Sequence, residues 1–200
     1  VKNNLQTIAS LLRLQARRAD SEDIRQVLLD SVSRILSVAA VHEFLSEHES
    51  RVINIKDVSR RILDQMREGV ISRDGRISFR LLGPNVYLPT QQATACALII
   101  NELLQNALEH GFAPSEEGEV SVELQDGVDA VTLRVVNSGP GLPEGFELER
   151  DKHLGLTIVE TLVQDDLRGR FELRDGNGVE AVVTFPKIPL GGDLKWRDLE

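Results

Sequence analysis

Apolar residues recur at helical spacing from the start of the chain. Leu5, Ile8 and Leu12, flanked by Ala9 and Ala16, share one face, with Arg13, Arg17 and Arg18 on the polar side, which predicts a first helix. The stretch "ADSED" supplies a turn and capping residues. A second stripe follows it: Ile24, Leu28, Ser31, Ile35, Val38, His42 and Leu45. Its alternation of four and three suits packing against neighbouring helices. Two helices joined by a short polar turn form an antiparallel hairpin with too little core to stand alone. Pairing with a second copy into a four-helix bundle is the expected solution.

From about Arg51 the period changes. "RVINI" reads as a short strand, "KDVSRRILDQMREGV" as a helix with Val58, Ile62, Leu63 and Met66 inward, and "GRISFRLLG" as a strand. The extended piece "NVYLP" leads into a long helix from about Thr90 to Glu109. "EVSVELQDG" and "DAVTLRVVNSG" alternate as a hairpin turning near Asp126-Gly127, an Asp-Gly turn signal. "LGLTIVETLVQDDL" is then a helix, and "GRFELRDGNGVEAVVTFP" a second hairpin turning at "DGNG". The pattern predicts an α+β sandwich, with helices over one face of a mixed sheet. The boundaries it suggests are a helical hairpin over 1–50, an α/β domain over 51–187 and a polar tail over 188–200.

Composition narrows the function. A 41% hydrophobic fraction in 200 residues sustains a core, and a net charge of −9 argues against direct nucleic-acid binding, which requires a basic face. One cysteine, Cys96 in "ATACALII", excludes a disulfide framework and a cysteine metal cluster, and reads as an inert buried thiol. No apolar run reaches the ~20 residues of a membrane span, and no signal peptide is visible, so a cytoplasmic protein is expected. The helical pattern already running at Val1 suggests a piece of a longer chain.

Three stretches carry chemistry. In "NELLQNALEHGF", Glu102, Asn106, Glu109 and His110 place a carboxylate, an amide and an imidazole along one helix. An amide oxygen of this kind can bind Mg²⁺, and a carboxylate can orient water; the bland alternative is a solvated helix face. "VVNSGPGLPEGF" ends a strand with Gly139 and Gly141, where backbone can approach a flat ligand and Asn137 can meet a base edge. In "HLGLTIVETL", Gly155 stands at a helix entrance suited to phosphate. Lone His42 on its apolar stripe reads as a packed bundle residue, and His48 is given no role.

Together, "NELLQNALEHGF", "NSGPGLP", "HLGLTIV" and "GVEAVVTFP" resemble the N, G1, G2 and G3 boxes of the histidine-kinase catalytic domain, the GHKL (Bergerat) ATPase group that includes gyrase and MutL. "VKNNLQTIASLLRLQARR" and "VHEFLS" resemble the dimerisation hairpin of the branch whose acceptor histidine begins H-R-x-K-N-N-L-Q. The resemblance implies ATP and Mg²⁺ as cofactors. Asn106 would ligate the metal, Glu102 would act at the γ-phosphate, and His110 and Asn101 would support them. Asn137, Gly139, Gly141, Lys152, His153, Gly155, Leu156 and Thr184 would complete the cofactor site. "ERDKHLG" would form a short mobile lid offering Arg150, Lys152 and His153 to the phosphates. The implied partners are a second copy, giving a homodimer, and a response regulator, in some relatives one with an RNA-binding antitermination output domain.

Two departures qualify the likeness. The motif places the acceptor histidine two positions before Val1, so this chain is expected to bind ATP without autophosphorylating there. Asn3, four residues beyond that histidine, stands where an amide can orient water for dephosphorylating the partner, or is simply solvated. Second, Asn137 replaces the usual aspartate that accepts the adenine amino proton. That exchange is expected to weaken ATP binding by about 1 kcal/mol and to relax base selectivity. The reading is a histidine kinase core acting on a histidine and then on a response-regulator aspartate. The alternative is a catalytically silent dimeric scaffold, for which Asn137 is the main support. A stand-alone ATPase of the gyrase kind leaves the N-terminal hairpin without a place.

Overall fold

A computed structural model describes residues 2–47, 52–71, 76–113, 116–151 and 153–188. Helices α1 (Lys2–Arg17) and α2 (Glu22–Glu47) form the antiparallel hairpin. Ser21 accepts from Arg25 N–H through its backbone carbonyl at 3.0 Å, closing the first turn of α2. Ala9 and Ala16 are buried between the two helices, where small side chains let the backbones approach.

The expected stripe on α2 does not coincide with the buried one. Among the described side chains of α2, Val32, Ser37 and Ala39 are the buried ones, whereas Ile24 is 57% exposed; those of His42 and Leu45 lie outside the described residues. The reason is that α2 packs on two sides, against α1 and against α4 (Thr90–His110), so burial spreads around the helix. Ile8, Leu11 and Leu14 on α1 and Ile24, Val27 and Leu29 on α2 remain exposed.

The rest is an α/β sandwich. Strands β1 (Val52–Asn54) and β3 (Tyr87–Pro89) pair antiparallel. Helix α3 (Ile55–Ile71) starts at Ile55 rather than after it. Asn54 dictates this: its Oδ1 accepts from Lys56 N–H at 3.1 Å and its Nδ2 donates to Asp57 at 2.9 Å, a side-chain cap. The five-stranded sheet has the order β2-β4-β5-β7-β6, comprising β2 (Ile77–Leu82), β4 (Gly118–Asp126), β5 (Ala130–Asn137), β6 (Arg170–Gly176) and β7 (Gly178–Pro186). The β2–β4 pair is parallel and the others antiparallel, so the sheet is mixed.

Alternation along β5 buries Val131, Leu133, Val135 and Asn137 on one face, beneath α3, α4 and α6 (Leu154–Thr161), the last prolonged by a π turn over Leu162–Asp166. The other face is polar, with Arg134 paired to Glu123 and Glu180 across neighbouring strands. Cys96 lies in the core, where burial pushes its thiol well above the ordinary range, as an inert thiol requires. Among the described residues no helix is long and apolar enough to cross a membrane.

Candidate active site

Helix α4 presents different residues to two sides. Towards the sheet and the lid, a cleft of about 800 Å³ opens between α4, the β5–α6 loops and β7, large enough for a nucleotide. Leu103, Ala107, Val135, Leu156, Leu173 and Ala181 make its wall apolar. Asn106, His110, Asn137, Arg150, Asp151 and His153 supply the polar groups. Towards α2, the same helix turns Asn101 and Glu102, which are 1% and 2% exposed.

Glu102 is met there by Arg34 of α2, whose Nε and Nη2 donate to Oε1 and Oε2 at 2.7 and 2.8 Å. Ser33 donates to Asn101 Oδ1 at 2.6 Å, and Asn101 Nδ2 to Glu102 Oε1 at 3.3 Å. The Glu102 bond raises the Arg34 pKa above its already high value against the opposing effect of burial, with Asp30 and Glu109 adding to it. A bidentate fork on a buried carboxylate is the strongest ion-pair geometry open to a side chain. Sequence reading missed Arg34 because Asp30, four residues before it, already looks like an ordinary helix-surface partner.

On the cleft side, Asn106 Nδ2 is buried without a partner, and such a group calls for an explanation. Opposite stands the start of α6, where Gly155 has no side chain. A Cβ built there would lie 3.1 Å from Glu102 Oε2 and 3.3 Å from Asn106 Oδ1. Gly155 therefore lets the helix entrance close on Glu102 and Asn106. His110 and His153 face each other across the cleft mouth with ring centroids 5.0 Å apart. Burial, then neighbouring His110, holds His153 below the ordinary histidine value, with Glu102 pulling the other way.

The G1 loop is built by close backbone contact. A Cβ on Gly139 would come within 1.6 Å of Gly111 O, and one on Gly141 within 2.1 Å of Asp175 Oδ1. Asp175 also accepts from Leu142 N–H at 3.0 Å. These glycines are needed first for the chain to cross itself, a reason additional to the approach of a ligand. At the start of the expected lid, Leu148–Asp151 forms one helical turn, α5. Arg150 there bonds Asp151 and Gly145 O, and with the Glu147 N–H it holds Asp151 down to about 2.

The cleft thus gathers Asn106, His110, Asn137, Gly141, His153 and Leu156, with Gly139 and Gly155 packed behind it. Asn101 and Glu102 face α2. Thr184 lies on β7 beside Thr132, their hydroxyls 3.4 Å apart, and outside the cleft lining. Lys152 and His48 lie outside the described residues. So do the side chains of Asn3 and His42, whose backbones are helical.

Comparison with known proteins places the fold in a family. Residues 1–70 match the family described as histidine kinase. Residues 91–192 match the histidine kinase-, DNA gyrase B- and HSP90-like ATPases. The chain belongs to that ATPase family, on its sensor histidine kinase branch. It is 42% identical to the sensor histidine kinase PdtaS of Mycobacterium tuberculosis over 93% of its own length and 38% of the relative's. The histidine kinase domain of Erythrobacter litoralis EL346 blue-light activated histidine kinase shares the fold at TM-score 0.69, 20% identity, and 92% and 96% coverage. Histidine kinase ThkA in complex with response regulator protein TrrA matches at TM-score 0.58 and 21% identity, over 94% of this chain and 59% of that one.

Proposed function

We propose that the chain is the catalytic core of a two-component histidine kinase. It would bind Mg·ATP in the cleft and transfer the γ-phosphoryl group to the histidine that the motif sets before Val1. From there the group passes to a response-regulator aspartate. The observation that carries the reading is Asn106, half-buried in the cleft lining, whose Nδ2 is buried and unpartnered beside a glycine-opened helix start.

The donor set suits Mg²⁺ better than a metal held by protein alone. Among the described residues no three acidic, histidine or cysteine side chains converge on a metal position. Mg²⁺ commonly takes one or two protein oxygens and completes its shell with phosphates and water. Asn106 would hold it, and when bound the ion neutralises phosphate charge. Phosphoryl transfer needs mainly positioning and charge stabilisation. The apolar wall would sandwich the base and exclude water, while the α6 entrance presents backbone N–H groups to phosphate. His110 and His153 stand at the mouth where the terminal phosphate would lie, and Glu102, gripped by Arg34, stands behind Asn106.

The exposed face of Ile8, Leu11, Leu14, Ile24 and Val27 supports pairing of two hairpins into a four-helix bundle. Burying each such side chain contributes about 1.5–3 kcal/mol.

Calorimetric titration with Mg·ATP tests the reading. Binding is expected in the wild type and a loss of tenfold or more in Asn106→Ala, with thermal stability unchanged because the deleted Nδ2 bonds to nothing. A folded protein that binds no nucleotide would favour a silent scaffold instead.

A further inference from the structure

Asn137 ends β5 inside the cleft, 2% exposed. Its Oδ1 accepts the Val179 N–H at 2.6 Å. Val179 is delivered there by the β6–β7 turn, where Gly178 takes φ +103°, and a Cβ on Gly178 would meet the Asn137 carbonyl oxygen at 1.8 Å. On its other side the amide is pressed against Gly111, on which a Cβ would fall 1.9 Å from Nδ2. The side chain is therefore fixed in place, and so is its polarity. A flipped amide would set Nδ2–H against Val179 N–H, two donors with no acceptor between them.

With Oδ1 committed, the group that Asn137 offers a ligand is an N–H donor. An aspartate here could accept from Val179 with one oxygen and still present the other as an acceptor. The exchange to asparagine thus inverts the hydrogen-bonding sense of the atom that faces the base. We infer that Asn137 is a specificity-determining residue that reads an acceptor on the purine edge, so that 6-oxopurine nucleotides, with O6 in place of the 6-amino group, bind this cleft at least as well as ATP. The inference rests on the nucleotide-site reading above. A 6-amino group turned towards Nδ2 faces donor against donor, whereas O6 completes a hydrogen bond inside an apolar wall, where an unmatched polar pair is costly.

The test compares Mg·ATP, Mg·GTP and Mg·ITP by calorimetry on the wild-type chain and on Asn137→Asp. ITP isolates the six-position, because it lacks the 2-amino group of guanine. In the wild type, ITP and GTP are expected to bind as tightly as ATP or more tightly. In Asn137→Asp, ATP should become preferred over ITP by about tenfold, the equivalent of one hydrogen bond gained and one lost. Wild-type binding of ATP tenfold or more tighter than ITP overturns the inference and leaves the nucleotide site standing, whether or not the variant folds. Absence of binding by all three nucleotides overturns the nucleotide reading and the inference with it.

Discussion

Arg34 grips both carboxylate oxygens of Glu102, at 2.7 and 2.8 Å, across 68 residues of sequence. The pair links the helical hairpin to the helix that carries the candidate catalytic residues. Glu102 is almost fully buried and the Arg34 side chain is 22% exposed. Removing the guanidinium therefore leaves a buried carboxylate with the long Asn101 Nδ2 bond, at 3.3 Å, in place of its ion-pair partner. Arg34→Ala should destabilise the chain by about 3 kcal/mol, at the lower end for buried pairs because Arg34 is partly wet. Glu102→Gln should be milder, since an amide still accepts from arginine. In a urea-denaturation cycle of Arg34→Ala, Glu102→Gln and the double variant, a coupling above about 1 kcal/mol is expected. Additive effects would mean that the contact carries no energy.

The glycines of the G1 loop differ in what they protect, and substitution separates them. At Gly139 a methyl group would collide with backbone, Gly111 O at 1.6 Å, so α4 and the loop must part. Gly139→Ala should cost at least about 2 kcal/mol, as forced overpacking does. Gly145 has φ +74° but open space around the Cβ position. Alanine there meets only the left-handed backbone penalty, about 1 kcal/mol. Thermal melts of the two variants check the order, and equal losses would show that contact is not what Gly139 provides.

His153 gives the site a pH dependence whose sign is fixed. Its folded pKa lies below the ordinary value, chiefly through burial and then through His110. As pH falls, the unfolded chain therefore takes the proton first. Stability is greatest above about pH 6.5 and declines through the window between that value and the lower folded one. A bound triphosphate acts oppositely, because its charge favours the imidazolium. Nucleotide binding should take up protons near pH 6.5, and affinity should rise as pH falls. Calorimetry in two buffers of different ionisation heat measures the uptake, which should shrink in His153→Gln. Wild-type binding without uptake would remove His153 from the phosphate site.

Much of this molecule is local and was legible in the chain. The hairpin, the order of strands and helices and the long α4 follow from hydrophobic period, because burial on one side of an element imposes its repeat on the residues. The glycine-punctuated loops around Asn137 and Gly155 are legible for a similar reason, since few residues tolerate such turns and approaches. What local pattern cannot carry is the identity of a partner distant in sequence. Nothing local singles out Arg34; its partner Glu102 is set only by the packing of α2 on α4. That same double packing buries Val32, Ser37 and Ala39 and leaves Ile24, at the head of the expected stripe, exposed. Gly139 was explained by a ligand until Gly111 O was found against it. Asn137 offered either end of its amide until the turn at Gly178 brought the Val179 N–H to Oδ1. An amide is symmetric in shape and antisymmetric in hydrogen bonding, so its sense at the cleft is set by whichever backbone group the fold puts beside it.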